Sequence, residues 1–200
     1  VRSRGLGDVY KRQLSLSARV LPQDVIWNSD ESGYYTIKNN SIVLVSTVGK
    51  KDIDILTSSD VSGMEIESFF FSQDKKKVLI FTNSVRVWRY NTRGDYFVYD
   101  LKSKDGHRLG SSLPGKSLMF AKFSPDGKNV AYVSKEIIPN SFRNSSTRAN
   151  IYIENIIDKK VTKLTESDDN GKIINGTFDW VYEEEFSCRD GFMFNDKSNK

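Results

Sequence analysis

The chain has 200 residues with 12 Phe, 9 Tyr and 3 Trp, enough length and aromatic content for one packed domain and too much for a disordered chain. Its net charge of +4 sits mostly in residues 1–13, where Arg2, Arg4, Lys11 and Arg12 outweigh Asp8 by three; the other 187 residues carry +1, which gives no electrostatic case for nucleic acid. No run approaches the roughly 20 apolar residues of a membrane helix, the N-terminus lacks the basic, apolar, small-residue order of a signal peptide, and the single Cys188 can close neither an internal disulfide nor a zinc site.

Residues 1–13, VRSRGLGDVYKRQ, show no period of 2 or 3.6 and look like a translated sequencing adaptor. We read them as a non-native prefix, with a native basic arm as the alternative, and place the fold in residues 14–200. Ser41–Leu56 (SIVLVSTVGKKDIDIL) is the first of three segments built as a strand, a turn carrying Lys, Asp or Gly, and a second strand ending in Leu. The others are Tyr96–Leu109 (YFVYDLKSKDGHRL) and Ile151–Leu164 (IYIENIIDKKVTKL). A second pattern alternates with it: an aromatic strand, a polar turn with Asp and Lys, then an alternating apolar strand. Its members are Phe69–Phe81 (FFFSQDKKKVLIF), Phe120–Val133 (FAKFSPDGKNVAYV) and the shorter Phe192–Lys200 (FMFNDKSNK). In Ser124-Pro125-Asp126-Gly127 the proline presets φ at the first central position and the glycine tolerates positive φ near the end, so the turn has a mechanism.

Both patterns predict hairpins, and Ile42, Tyr96 and Ile151 follow one another at steps of 54 and 55 residues. Two hairpins per step make four short antiparallel strands per repeat, the signature of a β-propeller. The expected fold is all-β: a partial propeller of about three four-stranded blades, which needs further blades to close a ring because one blade cannot bury both of its faces. An irregular β-sandwich is the competing reading.

Two inserts break the rhythm. Residues 137–149 (IIPNSFRNSSTRA) are expected to form a loop within the third blade. Residues 165–190 lengthen the next link: Phe71 to Phe123 is 52 residues, but Phe123 to Phe194 is 71. Extra length at one blade junction is where function is usually grafted onto such a ring. Within it lies FDWVYEEEF, Phe178–Phe186. On a strand, Glu184 and Glu185 would point to opposite faces; on a helical turn they lie about 100° apart and can converge on one small cation. Asp179 is a suitable N-cap with acids in the first turn, so a short helix is expected. A primary ammonium, with three donors and one charge, is the natural ligand for such a pair. A solvated acidic turn that caps its own helix is the competing reading.

FDWVYEEEF closely resembles the DWVYEEE motif of the dipeptidyl peptidase IV branch of the prolyl oligopeptidase family. VRVWRYNTRGDYFVYDL (Val85–Leu101) and FAKFSPDGKNVAYV look like neighbouring segments of the same propeller, in the same order, and the resemblance spans about residues 25–200. It implies an N-terminal propeller of roughly eight blades followed by an α/β-hydrolase domain, which these residues do not include. It further implies that Glu184 and Glu185 grip the free N-terminal ammonium of a peptide substrate and that Arg89 helps to hold substrate carbonyl or carboxylate groups. Glu183 would be structural, and Trp180 and Tyr182 would pack the helix on its blade.

A G-x-S-x-G elbow is missing from these residues, and the only histidine, His107, is expected in an exposed turn, so the chain alone is expected to lack catalytic residues and to be inactive. The full-length protein is expected to be a serine exopeptidase that releases dipeptides and needs no metal or cofactor. A propeller relative that has lost the serine and binds a partner protein is the alternative. Expected partners are peptides with a free N-terminus, the protein's own hydrolase domain and, in full length, a second copy. Asn39, Asn144 and Asn175 fit the glycosylation acceptor pattern. They agree with the family's secreted, periplasmic or membrane-anchored setting.

Overall fold

The structure is a computed structural model and describes residues 24–29, 32–87, 90–137, 147–167 and 173–196. Arg89, Asn144 and the prefix lie outside the described residues. Strands β1 (Ile26–Trp27), β2 (Gly33–Lys38), β3 (Ser41–Ser46) and β4 (Ile53–Leu56) form an antiparallel sheet in chain order. A second set, β5 (Ser68–Phe71), β6 (Lys77–Val87), β7 (Tyr90–Asp100) and β8 (Asp105–Arg108), pairs in the same manner. The third is β9 (Leu118–Phe123), β10 (Asn129–Ile137), β11 (Thr147–Asn155) and β12 (Val161–Lys163). The last two sets touch through the pair Gly94 and Leu118 on β7 and β9. These are three blades of a propeller, as the doubled hairpin pattern predicts.

The repeat is visible in its hydrogen bonds. In the β5–β6 turn the Lys75 N–H donates to the Ser72 carbonyl at 2.9 Å and the Ser72 hydroxyl to Asp74 at 2.7 Å. In the β9–β10 turn the Gly127 N–H donates to the Ser124 carbonyl at 2.8 Å and the Ser124 hydroxyl to Asp126 at 2.6 Å. The residue at the tight position has positive φ in both, Lys75 at 54° and Gly127 at 67°.

Strand β6 shows why these blades need neighbours. Val78, Leu79, Ile80 and Phe81 are all buried, although successive side chains point to opposite faces. Val78 and Ile80 pack with Tyr35, Ile42 and Leu56 of the first blade, while Leu79 and Phe81 pack with Leu118, Val130 and Tyr132 of the third. A central blade is therefore a continuous apolar run rather than an alternating one.

Three expectations need correction. Ile137 belongs to β10 and Thr147 to β11, paired with each other, so the Asn- and Ser-rich loop is shorter than its composition indicates. Ladder hydrogen bonds use backbone groups, which polar side chains do not prevent. Phe192–Asn195 forms no strand; Lys122 holds this segment by donating to the Phe192 carbonyl at 2.8 Å and pairing with Asp190. His107 is not in an exposed turn: it lies on β8 opposite Val98 with its side chain 17% exposed. Its Nε2 stands 3.4 Å from Glu154 on β11, close enough for an ion pair but without hydrogen-bond alignment. Glu154, 1% exposed, accepts from the Gly110 N–H at 2.7 Å and the Tyr132 hydroxyl at 2.9 Å, tying the second blade to the third.

Tyr96 is buried on β7, and burial pushes its hydroxyl up to about 12 although the N–H groups of Ala121 and Phe120 point at its oxygen. The unfolded side chain ionises near 10, so between about pH 10 and 12 the folded state binds more protons and stability falls as pH rises. The stability gap between wild type and Tyr96→Phe should therefore shrink by about 1.4 kcal/mol from pH 9 to pH 11, read by urea denaturation. A gap that does not change with pH would contradict this.

Candidate functional site

The insert after the third blade is seated by short contacts at its base. The Asn175 N–H donates to the Ala149 carbonyl at 3.1 Å, and its side-chain nitrogen donates to Asn150 at 3.2 Å. Gly176 follows with φ 76°, pressed so closely on the third blade that a Cβ would stand 2.5 Å from Val133 and 2.8 Å from Ile151. Only glycine meets both requirements without strain. Thr177 and Asp190 then form an antiparallel bridge, the Gly191 N–H donates to the Gly176 carbonyl at 3.0 Å, and Lys122 on β9 pairs with Asp190. Residues 177 and 190 thus close the neck of a loop.

The loop carries helix α1, Trp180–Phe186, as FDWVYEEEF predicts. The Asp179 carboxylate accepts from the Val181 and Tyr182 N–H groups at 3.0 and 3.1 Å, satisfying two of the donors a helix start leaves open. The helix stops at Ser187, whose φ of 55° is left-handed, and the Cys188 N–H returns to the Tyr182 carbonyl at 3.1 Å.

The aromatic side chains do not do what was expected of them. α1 buries no residue: Trp180 is 68% exposed and Phe186 67%. Tyr182 instead lies along the loop's own surface, stacked on Phe178 at 5.6 Å and tilted against Phe186 at 5.7 Å. Helix position must therefore come from polar and cationic contacts rather than from burial.

Two such contacts use residues that sequence reasoning missed. Arg189 places its guanidinium 3.7 Å from the centre of the Tyr90 ring at the start of β7. On the other side, Glu183 lies within electrostatic reach of Lys135 on β10, which also feels the charge of Arg93 on β7. Burial, then the Arg93 charge, holds the Lys135 ammonium below the usual lysine range against the opposing pull of Glu183. Among the described residues, the buried Arg93 Nε has no hydrogen-bond partner. Glu183 is thus coupled by charge to the blades. Glu184 is half-buried and Glu185 exposed. The signal for Arg93 and Lys135 was a charge at the end of an alternating strand, which reads equally well as solvated surface.

A recess of about 420 Å³ runs beside the helix exit, lined by Asn91, Thr92, Ser187 and Arg189 among others. A larger one of about 810 Å³ lies between Phe70 on β5 and Phe120 on β9 and reaches Asp190 but not the glutamate pair.

The family described as the dipeptidyl peptidase IV (DPP IV) N-terminal region matches residues 72–200, which take in β6 to β12 and the acidic helix. The chain belongs to this family. Relatives of this DPP IV family chain include dipeptidyl aminopeptidase B of Saccharomyces cerevisiae, 33% identical over 165 residues, covering 80% of this chain and 18% of the relative. Prolyl endopeptidase FAP of Homo sapiens is 28% identical over 159 residues, covering 80% of this chain and 19% of the relative. Among solved structures, dipeptidyl peptidase 4 of Porphyromonas gingivalis superposes with a TM-score of 0.65 at 22% identity, over 84% of this chain and 22% of that one. This DPP IV family chain therefore spans about a fifth of the length of these relatives.

Proposed function

We propose that this chain supplies the substrate-gripping part of a serine-type dipeptidyl peptidase that releases dipeptides from free peptide N-termini. Glu184 and Glu185 hold the N-terminal ammonium, and Arg89 holds a substrate carbonyl or carboxylate group near them. The supporting observation is a capped helix that carries two consecutive carboxylates, on a loop whose neck is fixed to the third blade. The names of the relatives, two of them dipeptidyl peptidases, agree with this class of reaction.

Chemically, the chain acts as a ruler. A clamp at fixed distance from a serine nucleophile, supplied by a hydrolase domain of the same protein, lets only the second peptide bond reach it. A blocked N-terminus would leave two carboxylates without their cation and forfeit the charge-assisted hydrogen bonds that an ammonium makes. Selectivity for free N-termini thus comes from binding rather than from the nucleophile. We place the protein outside the cytoplasm, with Asn39, on the β2–β3 turn, the better exposed of the two described glycosylation candidates; the Asn175 amide is already engaged by Asn150. A second copy in the full-length protein is part of the same proposal.

The test is hydrolysis of an X-Pro chromogenic substrate by the complete protein into the X-Pro dipeptide and the free chromophore, with a serine-directed inhibitor as control. Inhibitor-sensitive release is expected. A second reading, a non-catalytic propeller that binds a partner protein, draws on the exposed aromatic row of Phe178, Tyr182 and Phe186. Absence of release from a correctly folded complete protein would favour it.

A further inference from the structure

We propose that Arg189 is a positioning residue: by seating its guanidinium on Tyr90 it fixes the acidic helix relative to the strand start that follows Arg89 in the chain. The inference rests on the clamp reading above and adds a residue to it.

The reasoning starts from the helix itself. α1 is seven residues long and buries none of them, so neither propensity nor apolar packing can hold its place. Its entry leg is tied to the third blade through Asn175 and Gly176, and the neck is tied to β9 through Asp190 and Lys122. Both ties belong to the third blade. Arg189 reaches the second: it lies two residues beyond the left-handed Ser187 and directly before Asp190, and its charge sits 3.7 Å from the Tyr90 ring centre. Arg189 is half-buried and Tyr90 39% exposed, so the pair is partly shielded from water, where a cation over a ring face gains most. A cation held over a ring face ties the two segments to each other. Losing it would let the helix swing about its neck, and a displacement near 1 Å at a binding group is enough to lose capture by an order of magnitude or more.

The experiment uses the complete protein and an X-Pro chromogenic substrate with a free N-terminus. Arg189→Ala is expected to raise KM about tenfold with kcat changed by less than about twofold, and Tyr90→Leu to do the same. Combining the two should add little, because either removes the same contact. Arg189→Lys, which keeps a cation for the ring, should recover more than half of the loss in KM on a logarithmic scale, whereas Arg189→Gln should not. An unchanged KM in Arg189→Ala, a loss in kcat instead, or no rescue by Lys would overturn the inference. If Arg189→Ala does not fold, the Arg189→Lys and Arg189→Gln comparison decides in its place. The two readings fail separately: insensitivity to Glu184→Gln and Glu185→Gln sinks the clamp, whereas sensitivity to those changes with indifference to Arg189 sinks only the positioning role.

Discussion

In the complete protein, Glu184→Gln and Glu185→Gln should each lower kcat/KM on an X-Pro substrate by about 10- to 100-fold, mostly through KM. A hydrogen bond to a charged group contributes about 1.5–3 kcal/mol, and each 1.4 kcal/mol is a factor of ten. Glutamine keeps the shape and one acceptor oxygen but loses the charge that an ammonium meets. On the proposed reading the consequence falls on capture, because a clamp remote from the reacting bond holds substrate and transition state alike. A fall in kcat with KM unchanged would place these residues elsewhere in the reaction.

The largest effect on stability is expected at Glu154, far from the acidic helix. Glu154→Ala should destabilise the chain by about 3 kcal/mol or more, a large share of the 5–15 kcal/mol that holds a typical domain. Two buried donors lose their acceptor at once, the Gly110 N–H and the Tyr132 hydroxyl, and both belong to the seam between the second and third blades. Glu154→Gln retains one acceptor oxygen and should cost about 1 kcal/mol. Urea denaturation of the three proteins side by side checks this. Equal midpoints for the Ala and Gln variants would show that the acceptor is not what matters.

Much of the fold was legible because turn chemistry fixes hairpin register. Ser72 and Ser124 cap equivalent turns, and once two hairpins recur at a constant step the blades follow. The acidic helix was legible for a local reason too, since Asp179 answers the open N–H groups of its first turn. What failed depended on distant partners. His107 follows Lys-Asp-Gly, a turn signal, yet Glu154 on a strand of the next blade decides its burial. Trp180 and Tyr182 are apolar enough to pack, but nothing in their own segment says whether a surface stands opposite them, and among the described residues none buries them. Arg93, Lys135 and Arg189 read as surface charges because their roles come from blades brought together by closure of the sheet. Arg89, the remaining member of the proposed clamp, lies outside the described residues.

The most direct measurement is the ratio of kcat/KM for an X-Pro substrate with a free N-terminus to that for its N-acetylated form, in wild type and in the Glu184→Gln, Glu185→Gln double variant. Wild type should favour the free N-terminus by at least about 100-fold, and the double variant should lose most of that preference, since the discrimination is the binding of one ammonium by two carboxylates. A double variant that discriminates as strongly as wild type would show that the N-terminus is read elsewhere, and the acidic helix would not be the clamp.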